Sequence, residues 1–158
     1  MKITRHEKLA ILRTVGIFSE TPEDVLEDVV SILEETPVES GRTLFRKGDI
    51  GNSMYIIYEG KIRIHDGDHT FAMLENKDIF GELTLFDPEP RSASATAIHD
   101  TILFKIEQDN FYKIMSNRIE VVRGILRILC QRLRMQNKHI INLKSQISWL
   151  FTKFHEIY

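Results

Sequence analysis

A mainly β core with helices at both ends is the fold class predicted for this 158-residue chain. Three features of the sequence carry that expectation. About seven short runs with strand character recur at roughly ten-residue spacing between positions 43 and 107, punctuated by glycines, which indicates an antiparallel sandwich or barrel. Two short segments of helical period precede them. An unbroken heptad pattern follows them and runs to the end of the chain.

Residues 2–14 set Leu9, Ile11 and Leu12 among charged residues and predict a short amphipathic helix. The next helix is better marked. Thr21 is expected to cap it, Pro22 to take its first position, and Glu23 and Asp24 to fill its first turn. Val25, Leu26, Val29, Val30, Ile32 and Leu33 supply its buried stripe as far as about Glu35. From Thr36 the period changes. Runs at 43–47, 53–60, 61–67, 69–75, 92–99 and 101–107 read as strands, separated by Gly41, Gly48, Gly51, Gly60, the Asp66–Gly67 turn and His99–Asp100. Asp109 and Asn110 then predict a cap for a helix carrying Phe111, Tyr112, Ile114 and Met115.

The last segment is the longest. Val122, Leu126, Leu129, Leu133, Gln136, Ile140, Leu143, Ile147, Leu150, Phe154 and Ile157 alternate spacings of four and three, a heptad seam with Gln136 as its polar member. A helix of about 40 residues is about 60 Å long, so much of this seam needs a partner, and a homodimer is expected. A second stripe, Val121, Ile128, Met135 and Trp149, lies on another side and is expected to pack on the chain's own strands as far as Met135. The chain thus divides into 1–117, a body with N-terminal helices, and 118–158, a long C-terminal helix. Charge follows the same division. Residues 1–117 carry 13 basic and 21 acidic side chains, and residues 118–158 carry 8 and 2. Arg123, Arg132, Lys144 and Lys153 flank the seam without an acid among them, so apolar burial rather than salt bridges must hold a pairing. Trp149, Phe151 and Phe154 offer a second possibility, docking on an unidentified partner or a membrane surface.

Composition excludes several classes. Apolar residues make up 42% and charged residues 28%, ordinary for a globular protein, and no apolar run is long enough for a transmembrane segment. The first residues lack the apolar stretch of a signal peptide, so the expected location is cytoplasmic. Cys130 is alone, which rules out an internal disulfide and a cysteine-based zinc site. His65 and His69, beside Asp66 and Asp68, suit a polar hairpin tip better than a metal site, and no metal is expected. No nucleophile–base pair supports an enzyme.

The stretch FGELTLFDPEPRSASATA, from position 80, carries the chemistry. Gly81 allows close approach of a ligand, and a helical turn over 82–86 would present free N–H groups to an anion. Glu82 can accept from a vicinal hydroxyl, Arg91 offers a fork of donors suited to phosphate, and Ser92 adds a hydroxyl. A ribose bearing a singly charged phosphate needs all of these together. Phe80-Gly81-Glu82-Leu83 followed by Pro90-Arg91-Ser92-Ala93 resembles the phosphate-binding cassette of the cyclic nucleotide-binding domain, and residues 45–65 resemble the glycine-punctuated front of that family's β-roll. The similarity runs from about Gly16 to Leu143.

That resemblance implies an antiparallel double-stranded β-helix, the β-roll or jelly roll. It implies Glu82 on the ribose 2′-hydroxyl, Arg91 on the cyclic phosphate, backbone amides at Gly81–Leu83 in support, and Ser92 donating to a phosphate oxygen. The ligand implied is cAMP or cGMP, with cAMP preferred and no other cofactor. Gln136 and Asn137 stand where the family's C-terminal helix covers the purine. The seam residues Leu126, Leu129, Leu133, Gln136, Ile140, Leu143, Ile147 and Leu150 would form the dimer helix. Thr84 departs from the family pattern, where alanine or glycine is common. The expected output is regulatory, coupling ligand to the long helix. The alternative is a degenerate docking or dimerisation module in which Glu82 and Arg91 form only a structural ion pair. Fifteen residues after Leu143 are too few for a helix-turn-helix, so no direct DNA binding is expected.

Overall fold

A computed structural model describes residues 2–157, except for the side chains of residues 151 and 154–157. Helix α1 (Arg5–Thr14) begins with a capping box: the Thr4 hydroxyl accepts from the Glu7 N–H while the Glu7 carboxylate accepts from the Thr4 N–H. A 3-10 turn (Gly16–Phe18) leads to α2 (Glu23–Ser31). Thr21 does not cap α2. Its N–H is drawn back to the Phe18 carbonyl, and Pro22, extended at φ −56° and ψ 154°, holds the capping position without a side-chain bond. The acids Glu23 and Asp24 do occupy the first turn.

Eight strands follow: β1 (Glu34–Val38), β2 (Thr43–Phe45), β3 (Ser53–Glu59), β4 (Ile62–Asp66), β5 (His69–Leu74), β6 (Ile79–Phe80), β7 (Ser94–Ala97) and β8 (Thr101–Glu107). They form two antiparallel four-stranded sheets in the orders β1-β8-β3-β6 and β2-β7-β4-β5, the predicted β-roll. Alternation along β3 and β8 sorts side chains between two cores. Ile57 and Leu103 face the interior between the sheets with Val38, Ile62 and Phe80, whereas Met54, Ile56, Phe104 and Ile106 face the helices with Leu12, Phe18 and Leu26.

Two strands differ from expectation. β1 takes Glu34 and Glu35, which the apolar period assigned to the preceding helix, because pairing with Lys105 and Phe104 of β8 fixes them extended. Pro37 fits because β1 is an edge strand, where a missing N–H costs no ladder bond. β6 has only two residues, too few for any alternation to register.

Between β6 and β7 lies α3 (Leu83–Phe86), and after β8 comes α4 (Gln108–Met115). α4 starts directly from the strand, with Glu107 at its capping position and no side-chain cap, so Asp109 serves in the first turn instead. Helix α5 (Ile119–Ile157) is one continuous rod. Val121 and Ile125 are buried and Ile128 and Leu129 pack on the helix-side core. Gly124 makes the approach possible: a Cβ there would stand 2.0 Å from the Ile17 carbonyl oxygen. Beyond this footing the second stripe does not pack as expected. Met135 is 71% and Trp149 61% exposed, because α5 has by then left the body. Leu126, Leu133, Ile140, Leu143, Ile147 and Leu150 are also exposed, while Phe151, Phe154 and Ile157 fall among the side chains outside the description.

Candidate functional site

The cassette is held at both ends. Gly81, at φ +75°, turns the chain from β6 into α3, a conformation that strains any residue with a side chain. At the far end of α3, the Leu85 carbonyl accepts from Gln108 Nε2 at 3.0 Å and from the Tyr112 hydroxyl, both on α4. Arg91 is locked in its backbone: its N–H donates to the Asp49 carbonyl at 2.9 Å and its carbonyl accepts from the Gly48 N–H at 2.8 Å.

The Arg91 side chain folds inward and is buried. Nη1 donates to the Gly81 carbonyl at 3.2 Å and to Thr84 Oγ1 at 2.9 Å, and Nη2 donates to the Ser53 carbonyl at 2.8 Å. Nε is buried with no hydrogen-bond partner. The guanidinium lies 4.1 Å from the centroid of the Phe45 ring, itself in an aromatic cluster with Tyr55 and Phe80. Gly51 is set against it: a Cβ there would come within 2.3 Å of Nε and 2.5 Å of Nη2. Burial pushes the guanidinium below its ordinary pKa, and Tyr55, Glu82 and Asp49 act in the opposite sense. An arginine remains charged at neutral pH even so. Its hydrogen-bonded partners here are all neutral oxygens. A buried cation without a bound carboxylate is a chemical invitation to an anion.

Glu82 is also buried, but it faces α5, among Ile79, Phe86, Ile125 and Leu129. Its carboxylate is bound by Arg132 Nη1 of α5, and Arg132 Nη2 lies 3.5 Å from the Ile79 carbonyl. The simple Glu82–Arg91 ion pair is therefore not formed; the carboxylate of the cassette is joined to the long helix.

Gly81 and Arg91 thus meet directly, while the Glu82 side chain is turned to α5. Leu83 is exposed on the outer side of α3, and Ser92 is exposed beside Arg91. Gln136 and Asn137 are exposed on α5, with Gln136 one turn beyond Arg132. Three contributors were not anticipated. Arg132 registers in the sequence only as a cation beside the seam, Phe45 as a strand residue, and Thr84 as a departure from a pattern. No pairing across 50 positions has a local signature, although the unusual hydroxyl at Thr84 was itself a pointer. At the hairpin, His65 bonds to the Gly67 carbonyl and Thr96 Oγ1, and the His69 ring meets the Phe71 ring edge-on.

With the geometry in place, comparison with known proteins gives a consistent result. The family model for the cyclic nucleotide-binding domain matches residues 35–118. A CRP-like cAMP-activated global transcriptional regulator of Mycobacterium tuberculosis is 32% identical over 138 residues, covering 84% of this chain and 62% of that protein. This chain therefore spans less than two thirds of that relative's length. Among solved structures, the catabolite activator protein of Thermus thermophilus superposes with a TM-score of 0.75 at 25% identity, over 82% of this chain and 63% of that one. The regulatory domain of Toxoplasma gondii PKA, crystallised with cAMP, gives 0.66 at 28% identity, over 72% and 46%. The roll, the cassette with its buried arginine, and these similarities lead to one conclusion: the chain belongs to the cyclic nucleotide-binding domain family.

Proposed function

We propose that this chain is a regulatory cyclic nucleotide sensor, with cAMP ahead of cGMP as ligand, whose output is the state of α5. The observation that carries the reading is the buried Arg91, whose Nε has no partner and whose hydrogen-bonded partners are all neutral. The co-crystallised Toxoplasma relative supports cAMP as the first candidate. In this reading Arg91 takes the cyclic phosphate with help from Ser92 and the Gly81–Leu83 amides, and Glu82 accepts from the ribose 2′-hydroxyl. Gln136 and Asn137 approach the purine. No bond of the ligand is broken; binding is the event.

Arg132 gives coupling a route. The carboxylate that would receive the ribose is the one to which α5 is fastened, so ligand and helix draw on the same group. Nucleotide shifts α5 only as far as it favours one helix position over the other. Residues 1–117 form the sensing body and residues 118–158 the output helix, which pairs with a second copy through Leu126, Leu129, Leu133, Ile140, Leu143, Ile147 and Leu150.

Calorimetric titration with cAMP and then cGMP tests the reading. Micromolar or tighter binding is expected, weakened in Arg91→Ala by about 2–4 kcal/mol, a factor of roughly 30 to 1,000. Absence of heat and of any thermal shift with either nucleotide would overturn it and leave a docking module on α5. Saturating nucleotide should also alter hydrogen-exchange protection along α5; unchanged protection would remove the coupling while leaving binding intact.

A further inference from the structure

Thr84 stands where the family pattern has alanine or glycine, and its hydroxyl lies on the phosphate-binding arginine. We propose that Thr84 is a positioning residue that decides which edge of the Arg91 guanidinium is offered to the nucleotide's phosphate, an inference that rests on the reading of Arg91 as the phosphate partner.

A guanidinium has five N–H donors. Nη1 commits both of its hydrogens, to the Gly81 carbonyl and to Thr84 Oγ1. Nη2 commits one, to the Ser53 carbonyl. What remains is the second Nη2 hydrogen and the buried, unpartnered Nε–H. These two lie on one side of the group, the edge that makes two parallel bonds to a phosphate. The side chain that Gly51 lacks would fall against that same edge.

Two restraints of different kind hold this orientation. The Phe45 ring at 4.1 Å fixes the plane of the guanidinium but leaves it free to turn within that plane. The bonds to Gly81, Ser53 and Thr84 fix the turn. Thr84 is suited to its part because its hydroxyl donates its own proton to the Gly81 carbonyl at 2.9 Å, which directs an oxygen lone pair at Nη1. The residue is buried, so water does not readily substitute for it. With alanine at this position Nη1 keeps the Gly81 carbonyl alone, and the fork can turn until its Nη1–Nη2 edge faces the ligand.

The test uses cAMP and its two diastereomeric exocyclic phosphorothioates, titrated into the whole chain and into Thr84→Ser, Thr84→Ala, Thr84→Val and Arg91→Ala. Sulfur on the oxygen that meets the arginine weakens binding, and sulfur on the other does so much less. Unmutated protein and Thr84→Ser should prefer one diastereomer by about tenfold or more, one well-placed charge-assisted bond. Thr84→Val, close in shape but without the hydroxyl, should bind cAMP roughly 5- to 30-fold more weakly and lose most of that preference. A merely structural role would lower affinity and leave the diastereomer ratio alone. The proposal is overturned if Thr84→Val keeps the diastereomer ratio of the unmutated protein, whatever its affinity, while Arg91→Ala loses binding. If the unmutated protein binds no nucleotide, or Arg91→Ala binds as well as it does, the failure lies in the underlying reading. Should Thr84→Val not fold, Thr84→Ala against Thr84→Ser decides on the same ratio.

Discussion

Gly51→Ala is the sharpest single test of how the arginine is held. The substitution adds one methyl group, and the backbone at Gly51 lies outside the left-handed range, so alanine meets no conformational penalty there. The cost is steric. The new Cβ would stand 2.3 Å from Nε, 2.5 Å from Nη2 and 2.6 Å from Cζ of Arg91, each about 1 Å or more inside ordinary contact. Arg91 cannot yield cheaply, because withdrawing it breaks three hydrogen bonds and the stacking on Phe45. Overpacking of this kind costs about 1–3 kcal/mol, which for a chain of this size lowers Tm by about 2–12 °C. Nucleotide affinity should fall together with Tm, since the methyl group occupies the free edge of the fork. Thermal melts and calorimetry on the same preparations check both. Gly41→Ala is the matched control: its φ of +81° imposes backbone strain, but nothing lies within 4 Å of the added methyl and its N–H donates to the Ala97 carbonyl, away from the cassette. It should cost about 1–2 kcal/mol of stability and leave affinity nearly unchanged. If Gly51→Ala keeps both Tm and affinity, the account of a tightly seated arginine is wrong.

Three further outcomes are expected. Gly124→Ala should be more damaging than Gly51→Ala, since the Cβ meets the Ile17 backbone oxygen at 2.0 Å and the whole root of α5 must lift; its melt and tryptophan-independent far-UV signal should show a loss above about 2 kcal/mol, and a melt within 1 °C of unmutated protein would refute the close seating. Ile140→Lys with Ile147→Lys should convert a dimer to monomer in sedimentation without lowering monomer stability, because both side chains are about half exposed; an unchanged sedimentation coefficient would place the pairing elsewhere. The Glu35 carboxyl is held below its ordinary pKa by the Lys8 ammonium at 2.8 Å and the Ile3 N–H, with desolvation opposing. A carboxylate depressed on folding adds stability above the unfolded pKa near 4.5, and that stability is lost as pH falls through the lower folded value. Glu35→Gln should therefore cost about 0.5–1 kcal/mol at pH 7 and much less at pH 3, read from melts at both; an equal cost at both would refute the assignment.

The sequence was most readable where its signal is local. The run at 101–107 is β8 to the residue, and the helical turn expected over 82–86 is α3. The Thr4–Glu7 capping box is equally local, a hydroxyl three residues before a carboxylate. What escaped depends on the tertiary fold. Glu34 and Glu35 are strand residues because β8 pairs with them, whatever their own propensity. Arg132 meets Glu82 because Gly124 sets the height at which α5 crosses the body. Met135 shares the periodic position of Val121 and Ile128, but periodicity records which side a residue occupies and not how far along a rod the support extends.

The rooting of α5 also has a mechanical consequence. The helix rests on the body through residues clustered around Gly124, and Leu150 lies 26 residues further out, about 39 Å along the axis. A pivot of about 10° at that fulcrum carries Leu150 through roughly 7 Å, more than one full turn of helix. Displacements of about 2 Å where Arg132 meets Glu82, about 12 Å from the fulcrum, are thus multiplied at the distal end into a step long enough to shift one apolar residue past its neighbour. A rod anchored at one end behaves as a lever, and its gain is set by length rather than by any property of the ligand.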